Sequence, residues 1–197
     1  MGFTVVPPGQ IAAIVTVLEM RAAPRPRPLP ATPFRLVRWP APPPDRYRAL
    51  FRRIGERWLW FSRLVLDDSA LTAIVHDPRV EVYAVADRQG VEIGLLELDF
   101  RAEAACELAY VGFVPELAGR GHGGWLVAQA LSLAWRKGIA RVSVRTCTLD
   151  HPAALPLYRK SGFRPVSRGV ETFADPRRAG LLPRAAAPQI PLLDPAA

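Results

Sequence analysis

The chain has 197 residues, half of them hydrophobic and 22% charged. That balance suits one globular domain with a full core and excludes a disordered polypeptide. The formal net charge is +8, almost all of it from arginine, but the arginines are scattered and form no run, so a nucleic-acid partner is not expected.

Proline divides the chain: eleven of its 21 prolines fall in the first 44 residues. Between them, residues 11–20 are rich in Ile and Val and predict a strand. Its apolar run is too short to span a bilayer and lacks a basic leader, and no other stretch reaches 18 apolar residues. No membrane association is expected, and the cytoplasm is the expected location. Proline then occupies every second position from 24 to 30, which permits neither a helix nor a central strand and predicts an extended connector.

Residues 34–38 read as a short strand. Asp45 is an N-cap candidate for a helix with Tyr47, Leu50, Phe51 and Ile54 on one face. Trp58, Trp60 and Phe61 follow. Asp67, Asp68 or Ser69 caps a second helix, which His76-Asp77-Pro78 ends. Residues 80–86, 91–100 and 106–114 predict an antiparallel meander with a turn at Asp87-Arg88-Gln89-Gly90. A glycine cluster at 119–124 opens a helix closed near Gly138. A strand (141–148), a helix (152–161) and a last strand (163–173) complete the pattern, and the tail from 176 is irregular. Because a helix joins the third strand of this series to the fourth, those two run parallel. The expected organisation is an N-terminal strand and proline-rich connector over 1–33, one α/β domain of the α+β type over 34–175, and a tail over 176–197. The sheet is mixed and mostly antiparallel, with six or seven strands flanked by about four helices.

Cys106 and Cys147 each sit in a strand-like segment with no second Cys or His at metal spacing. They read as buried, reduced thiols, and no metal site is predicted.

The chemistry concentrates at Gly119-Arg120-Gly121-His122-Gly123-Gly124-Trp125. Glycines let the backbone take positive φ and approach a ligand, and the first N–H groups of the helix are unpaired at its positive end. Together they make an anion site suited to a pyrophosphate, to which Arg120 can add a charged contact. Four glycines in six residues are excessive for a plain turn, since each costs a helix roughly 1 kcal/mol relative to Ala. The loop is neither a P-loop, lacking Gly-Lys-Ser/Thr, nor a G-x-G-x-x-G dinucleotide fingerprint.

Two motifs carry a family resemblance. The loop, preceded by Phe113-Val114-Pro115, resembles the Gln/Arg-x-x-Gly-x-Gly/Ala signature of the GNAT acetyltransferases, with Gly121 and Gly123 at the small positions and Ala118 departing from Gln or Arg. The segment His151-Pro152-Ala153-Ala154-Leu155-Pro156-Leu157-Tyr158-Arg159-Lys160-Ser161-Gly162-Phe163 resembles the family's Asn-Pro-x-Ala-x-x-Leu-Tyr-x-Lys-x-Gly-Phe, with His151 in place of Asn. Pro156 is unusual inside that helix and predicts a kink or a lost backbone bond.

The resemblance implies that acetyl-CoA lies between two splayed parallel strands, 106–114 and 141–148. Its pantetheine would meet the backbone of Phe113 and Val114, and its pyrophosphate the N–H groups of residues 119–124, with Trp125 and His151 beside it. A backbone N–H near Val114 would polarise the thioester carbonyl. Tyr158 matches the family's general acid at the sulfur. Glu107 is the expected base for an amine acceptor, with Glu97 as its rival, because an amine near pKa ~10 is protonated at neutral pH and must lose a proton before transfer. Trp58, Trp60, Phe61 and Arg63 are the expected acceptor-side residues. A CoA-binding module without turnover is the alternative function, and a homodimer stays open.

Overall fold

The computed structural model describes residues 2–25, 28 and 31–193. The rest of the proline-rich connector and the last four residues lie outside the described residues. The elements in order are strands β1 (Gln10–Met20) and β2 (Arg35–Arg38), helix α1 (Pro44–Gly55), a single 3-10 turn (Glu56–Trp58), helix α2 (Asp68–Val75), and strands β3 (Val80–Ala86), β4 (Glu92–Asp99) and β5 (Ala105–Phe113). After a second 3-10 turn (Pro115–Leu117) come helix α3 (Gly123–Ala134), strand β6 (Arg141–Cys147), helix α4 (Ala154–Lys160) and strand β7 (Arg164–Ala174).

One seven-stranded sheet runs β2-β3-β4-β5-β6-β1-β7. Every neighbouring pair is antiparallel except β5 and β6, which are parallel from Ala105↔Arg141 to Leu108↔Val144. This is the mixed, mostly antiparallel α/β architecture expected from the sequence. The predicted strand at 11–20 is present and sits inside the sheet, where it is the pairing partner of both β6 and β7.

The two faces are covered by different helices. α1 lies over the face that carries Glu97, because its buried Tyr47 hydroxyl donates to that carboxylate (2.5 Å). α3 lies over the other face, where Arg136, just past its end, stacks on Phe100 and bonds Glu81. Both helices present apolar stripes to the sheet: Tyr47, Leu50, Phe51 and Ile54 from α1, and Leu126, Val127, Ala130, Leu131 and Ala134 from α3.

Some local expectations shift. Asp45 is not a cap: Pro43 holds that position without a side-chain bond, and Asp45 sits in the first turn. Asp67 is the α2 cap, its carboxylate accepting from the Ala70 N–H (2.7 Å). α4 begins at Ala154, so Pro156 lies in the first turn, where an N–H would have no helical partner and its absence costs nothing. The tail past Asp175 has no helix or strand among its described residues, yet it is pinned. Asp175 and Arg177 form a buried pair (2.8 Å), and the Arg177 guanidinium also donates to the carbonyls of Ala186 and Ile190.

Candidate active site

β5 and β6 pair only over their first four residues. Beyond Leu108 they separate. A register shift against β4 between Glu97 and Leu98 leaves Ala109 as an extra residue on β5, and such a bulge bends and twists the strand that carries it. The gap opens a cavity of about 1550 Å3 that reaches both faces of the sheet and runs along α3 and α4.

At the top of the cavity stands the start of α3. Gly119 and Gly121 take φ of +76° and +86°, values that only glycine adopts freely. α3 has no side-chain cap. The N–H groups of Gly121, His122, Gly123, Gly124 and Trp125 have no acceptor among the described residues. A Cβ on Gly123 would stand 3.0 Å from Leu157 Cδ2, so this glycine also lets α4 approach. The result is a row of open donors at the positive end of a helix, the geometry of an anion cradle.

Not every residue expected here faces the cavity. Gly119, Gly121, Gly123, Gly124, Phe113 and His151 line it; Val114, Arg120, His122 and Trp125 do not. Trp125 and Val114 are core residues, and the His122 ring packs on Phe34 (4.7 Å) and Phe113 (6.0 Å). The Val114 N–H donates to the Ile93 carbonyl (2.9 Å), so it is not open to a ligand. Alternation along an antiparallel strand then turns the N–H groups of Phe113 and Val111 toward the gap. Val111 lines the cavity, and the sequence alone could not reveal which strand edge would be unpaired.

Tyr158 faces the middle of the cavity from α4 and is 7% exposed. Burial, and then the charge of Asp150, push its phenol above the ordinary range, so it holds its proton at neutral pH. Asp150 was not singled out by sequence reasoning. It accepts from the Thr146 hydroxyl and the Cys147 N–H (2.8 Å each) and from Trp60 Nε1 (3.4 Å), tying the β6–α4 turn to the segment after α1.

On the α1 face the cavity is walled by Trp58, Trp60, Phe61, Ser62, Arg63, Tyr110 and Phe173. Phe61 stacks on Phe173 (4.7 Å), Trp60 packs on Tyr110 (5.2 Å), and the Ser62 and Tyr110 hydroxyls are hydrogen-bonded. Glu107 reaches into this compartment from β5. Burial raises its carboxyl above the usual range, and Arg145 opposes that shift. Glu97, the rival base, is 0% exposed and absent from the cavity wall. It accepts from the Arg63 guanidinium (2.6 Å) and from Tyr47, so it fixes Arg63, whose plane lies over the Tyr110 ring (5.1 Å). Arg63 is thus held in the wall and is not a free anion receptor.

Cys106 and Cys147 are unpaired thiols. Burial pushes them up to about 12 and about 11, far from a thiolate nucleophile at neutral pH. Among the described residues no group of three His, Cys, Asp or Glu is placed to hold a metal ion, and no helix is long and apolar enough to cross a membrane.

Comparison with known proteins agrees with this geometry. A GCN5-related N-acetyltransferase from Sphaerobacter thermophilus superposes with a TM-score of 0.63 at 15% identity, over 85% of this chain and 52% of its own. An acetyltransferase of the GNAT family from Novosphingobium aromaticivorans gives 0.53 at 18% identity, over 86% and 68%. An IAA acetyltransferase from Bacillus cereus gives 0.51 at 23% identity, over 68% and 79%. The chain therefore spans about half the length of the Sphaerobacter protein. These likenesses show the fold. No protein of curated function matches the chain. The sequence model of the acetyltransferase (GNAT) family matches residues 33–163, more than half of the chain. With the two motifs, the split parallel strands and that match in agreement, the chain belongs to the GNAT acetyltransferase family.

Proposed function

We propose that the chain moves an acetyl group from acetyl-CoA directly to a primary amine, in the cytoplasm, with a small molecule favoured over a protein as acceptor. The observation that carries this reading is the row of unpaired N–H groups at the start of α3, which opens onto the same cavity as the Tyr158 phenol and the Glu107 carboxylate. The donors of residues 121–125 hold the diphosphate of the coenzyme. The pantetheine runs along the free edge of β5, and the Val111 N–H polarises the thioester carbonyl. Tyr158 protonates the departing thiolate; its raised phenol keeps the proton available. Glu107 takes a proton from the acceptor ammonium, directly or through water, and burial brings its carboxyl closer to neutral pH, where a base works best. The raised thiols of Cys106, which is buried, and of the half-buried Cys147 support direct transfer over an acyl-cysteine intermediate. The acceptor compartment is a walled pocket of aromatic rings, which suits a small molecule.

The test is thiol release from acetyl-CoA across a panel of amines, with CoA affinity measured in parallel. Amine-dependent thiol release supports the transferase. Tight CoA binding with no release for any amine would favour a non-catalytic CoA-binding module.

A further inference from the structure

The wall of the cavity on the α1 face can be read for what it leaves unpaired. Its rings form two pairs. Trp60 and Phe61 are neighbours in sequence but turn to opposite sides: Trp60 packs on Tyr110 of β5 (5.2 Å), and Phe61 stacks on Phe173 of β7 (4.7 Å). β6 and β1 lie between those strands. There the residues of β1 that line the cavity are small, Ala13 and Val15. Strand alternation puts them on the face of Phe173, because Ala13 is opposite Glu171, two residues before it. All four rings are half-buried. Ring surface left open toward one slot is apolar area that a ligand can cover.

The polar side chains of this wall satisfy one another, with one exception. Arg101 donates to Asp99 through Nε (3.0 Å) and Nη2 (2.5 Å), Arg63 is paired with Glu97 (2.6 Å), and Arg145 lies 3.9 Å from Glu171. Asp150 accepts from Thr146, Cys147 and Trp60, and the Ser62 and Tyr110 hydroxyls bond each other. Glu107 is the exception: among the described residues it is the one carboxylate of the cavity wall whose side chain has neither a hydrogen bond nor an ion pair. Such a wall matches a single ammonium carried on a flat apolar body. A polyamine brings a second ammonium, which must compete with Arg145 for Glu171. An amino acid brings a carboxylate, which must take Arg145 from Glu171. An aminosugar brings several hydroxyls, and the wall hydroxyls already have partners. Each would bury polar groups without matching ones to receive them.

We propose that the acceptor is an arylalkylamine: a primary monoamine whose aromatic ring enters the slot between the Trp60–Tyr110 and Phe61–Phe173 pairs while its ammonium meets Glu107. This deepens the acetyl-transfer reading given above and rests on it. The N–C bond of the amide forms as the C–S bond of the thioester breaks. Of the two protons that the nitrogen gives up, one goes to Glu107 and the other replaces the phenol proton that Tyr158 passes to the sulfur.

Thiol release by the full chain at saturating acetyl-CoA tests the class, with kcat/KM measured for 2-phenylethylamine, hexylamine, spermidine, phenylalanine and glucosamine. 2-Phenylethylamine should exceed spermidine, phenylalanine and glucosamine by at least about tenfold, and hexylamine by at least about threefold, because contact between rings adds to apolar burial. The F61L/F173L variant keeps apolar bulk and removes the ring pair. Its margin over hexylamine should fall to about twofold or less, with CoA affinity as in the unaltered chain. Phe173→Leu alone should shrink the margin in the same direction, and it carries the comparison if the double variant does not bind CoA. Smaller margins in the unaltered chain, or a margin over hexylamine that the leucine variants keep, would overturn the arylalkylamine assignment and leave acetyl transfer standing. No thiol release with any of the five amines would instead remove the acetyl-transfer reading, and this inference with it.

Discussion

The two working ends of the cavity are built from different material. The end proposed for the coenzyme is made of main chain: unpaired N–H groups at an uncapped helix start, two glycines at positive φ, and the free edge of a strand. The end proposed for the acceptor is made of side chains from segments far apart in sequence, with Arg63 and Glu97, Trp60 and Asp150, and Phe61 and Phe173 meeting across it. A backbone site tolerates sequence change wherever glycine geometry survives. A side-chain site depends on each partner being present, and changes its ligand when one is replaced.

This contrast can be broken in four ways, from the largest expected effect to the smallest. Glu97→Leu strands the Arg63 guanidinium, which is only 13% exposed. Loss of one partner of a buried pair typically costs about 3–5 kcal/mol, so urea unfolding should show a loss of that order, while CoA affinity of the folded protein stays near wild type. Equal stability would mean that the pair does not support the wall. Gly123→Val occupies the space in front of the amides and presses on Leu157. CoA affinity should fall roughly 100-fold, equivalent to about 2.7 kcal/mol, and retained affinity would place the coenzyme elsewhere.

Tyr158→Phe keeps the packing and removes the proton. Turnover should drop at least tenfold with CoA affinity unchanged, and wild-type turnover would end its role as the acid. Glu107→Gln should have the mildest effect and the most specific one. Glu107 works as a base only when ionised, and its carboxyl is raised. The rate of the unaltered enzyme should therefore fall, as pH drops, through a value above the ordinary carboxylate range near ~4.3. In the Gln variant the amine must lose its own proton to water, and the pH–rate profile moves to higher pH. An identical profile would point to another base.

The same contrast explains what the sequence made legible. The glycine loop could be located because unusual backbone needs unusual residues: four glycines in six positions report on φ and on close approach. The order of strands and helices followed from periodicity, and the parallel pair from the helix between its strands. The side-chain end was less accessible. Trp58, Phe61 and Arg63 could be proposed for it, but Asp150, Glu171 and Phe173 had no local signal, because what brings them there is strand pairing over distances the chain order hides. Glu97 and Glu107 looked alike as strand carboxylates. The bulge at Ala109 lies between their pairing positions and changes the register, and packing of α1 then buries one while the other stays at the cavity. The Val114 amide was misread for a related reason: only pairing with Ile93 fixes which edge of β5 is free.

Displacement calorimetry reaches the central claim most directly. The chain is titrated with CoA, and the bound coenzyme is then challenged with ADP, which has the diphosphate but neither pantetheine nor thioester. The account predicts one saturable CoA site from which ADP displaces the coenzyme. Absence of any CoA binding, or CoA that ADP does not displace, would contradict it.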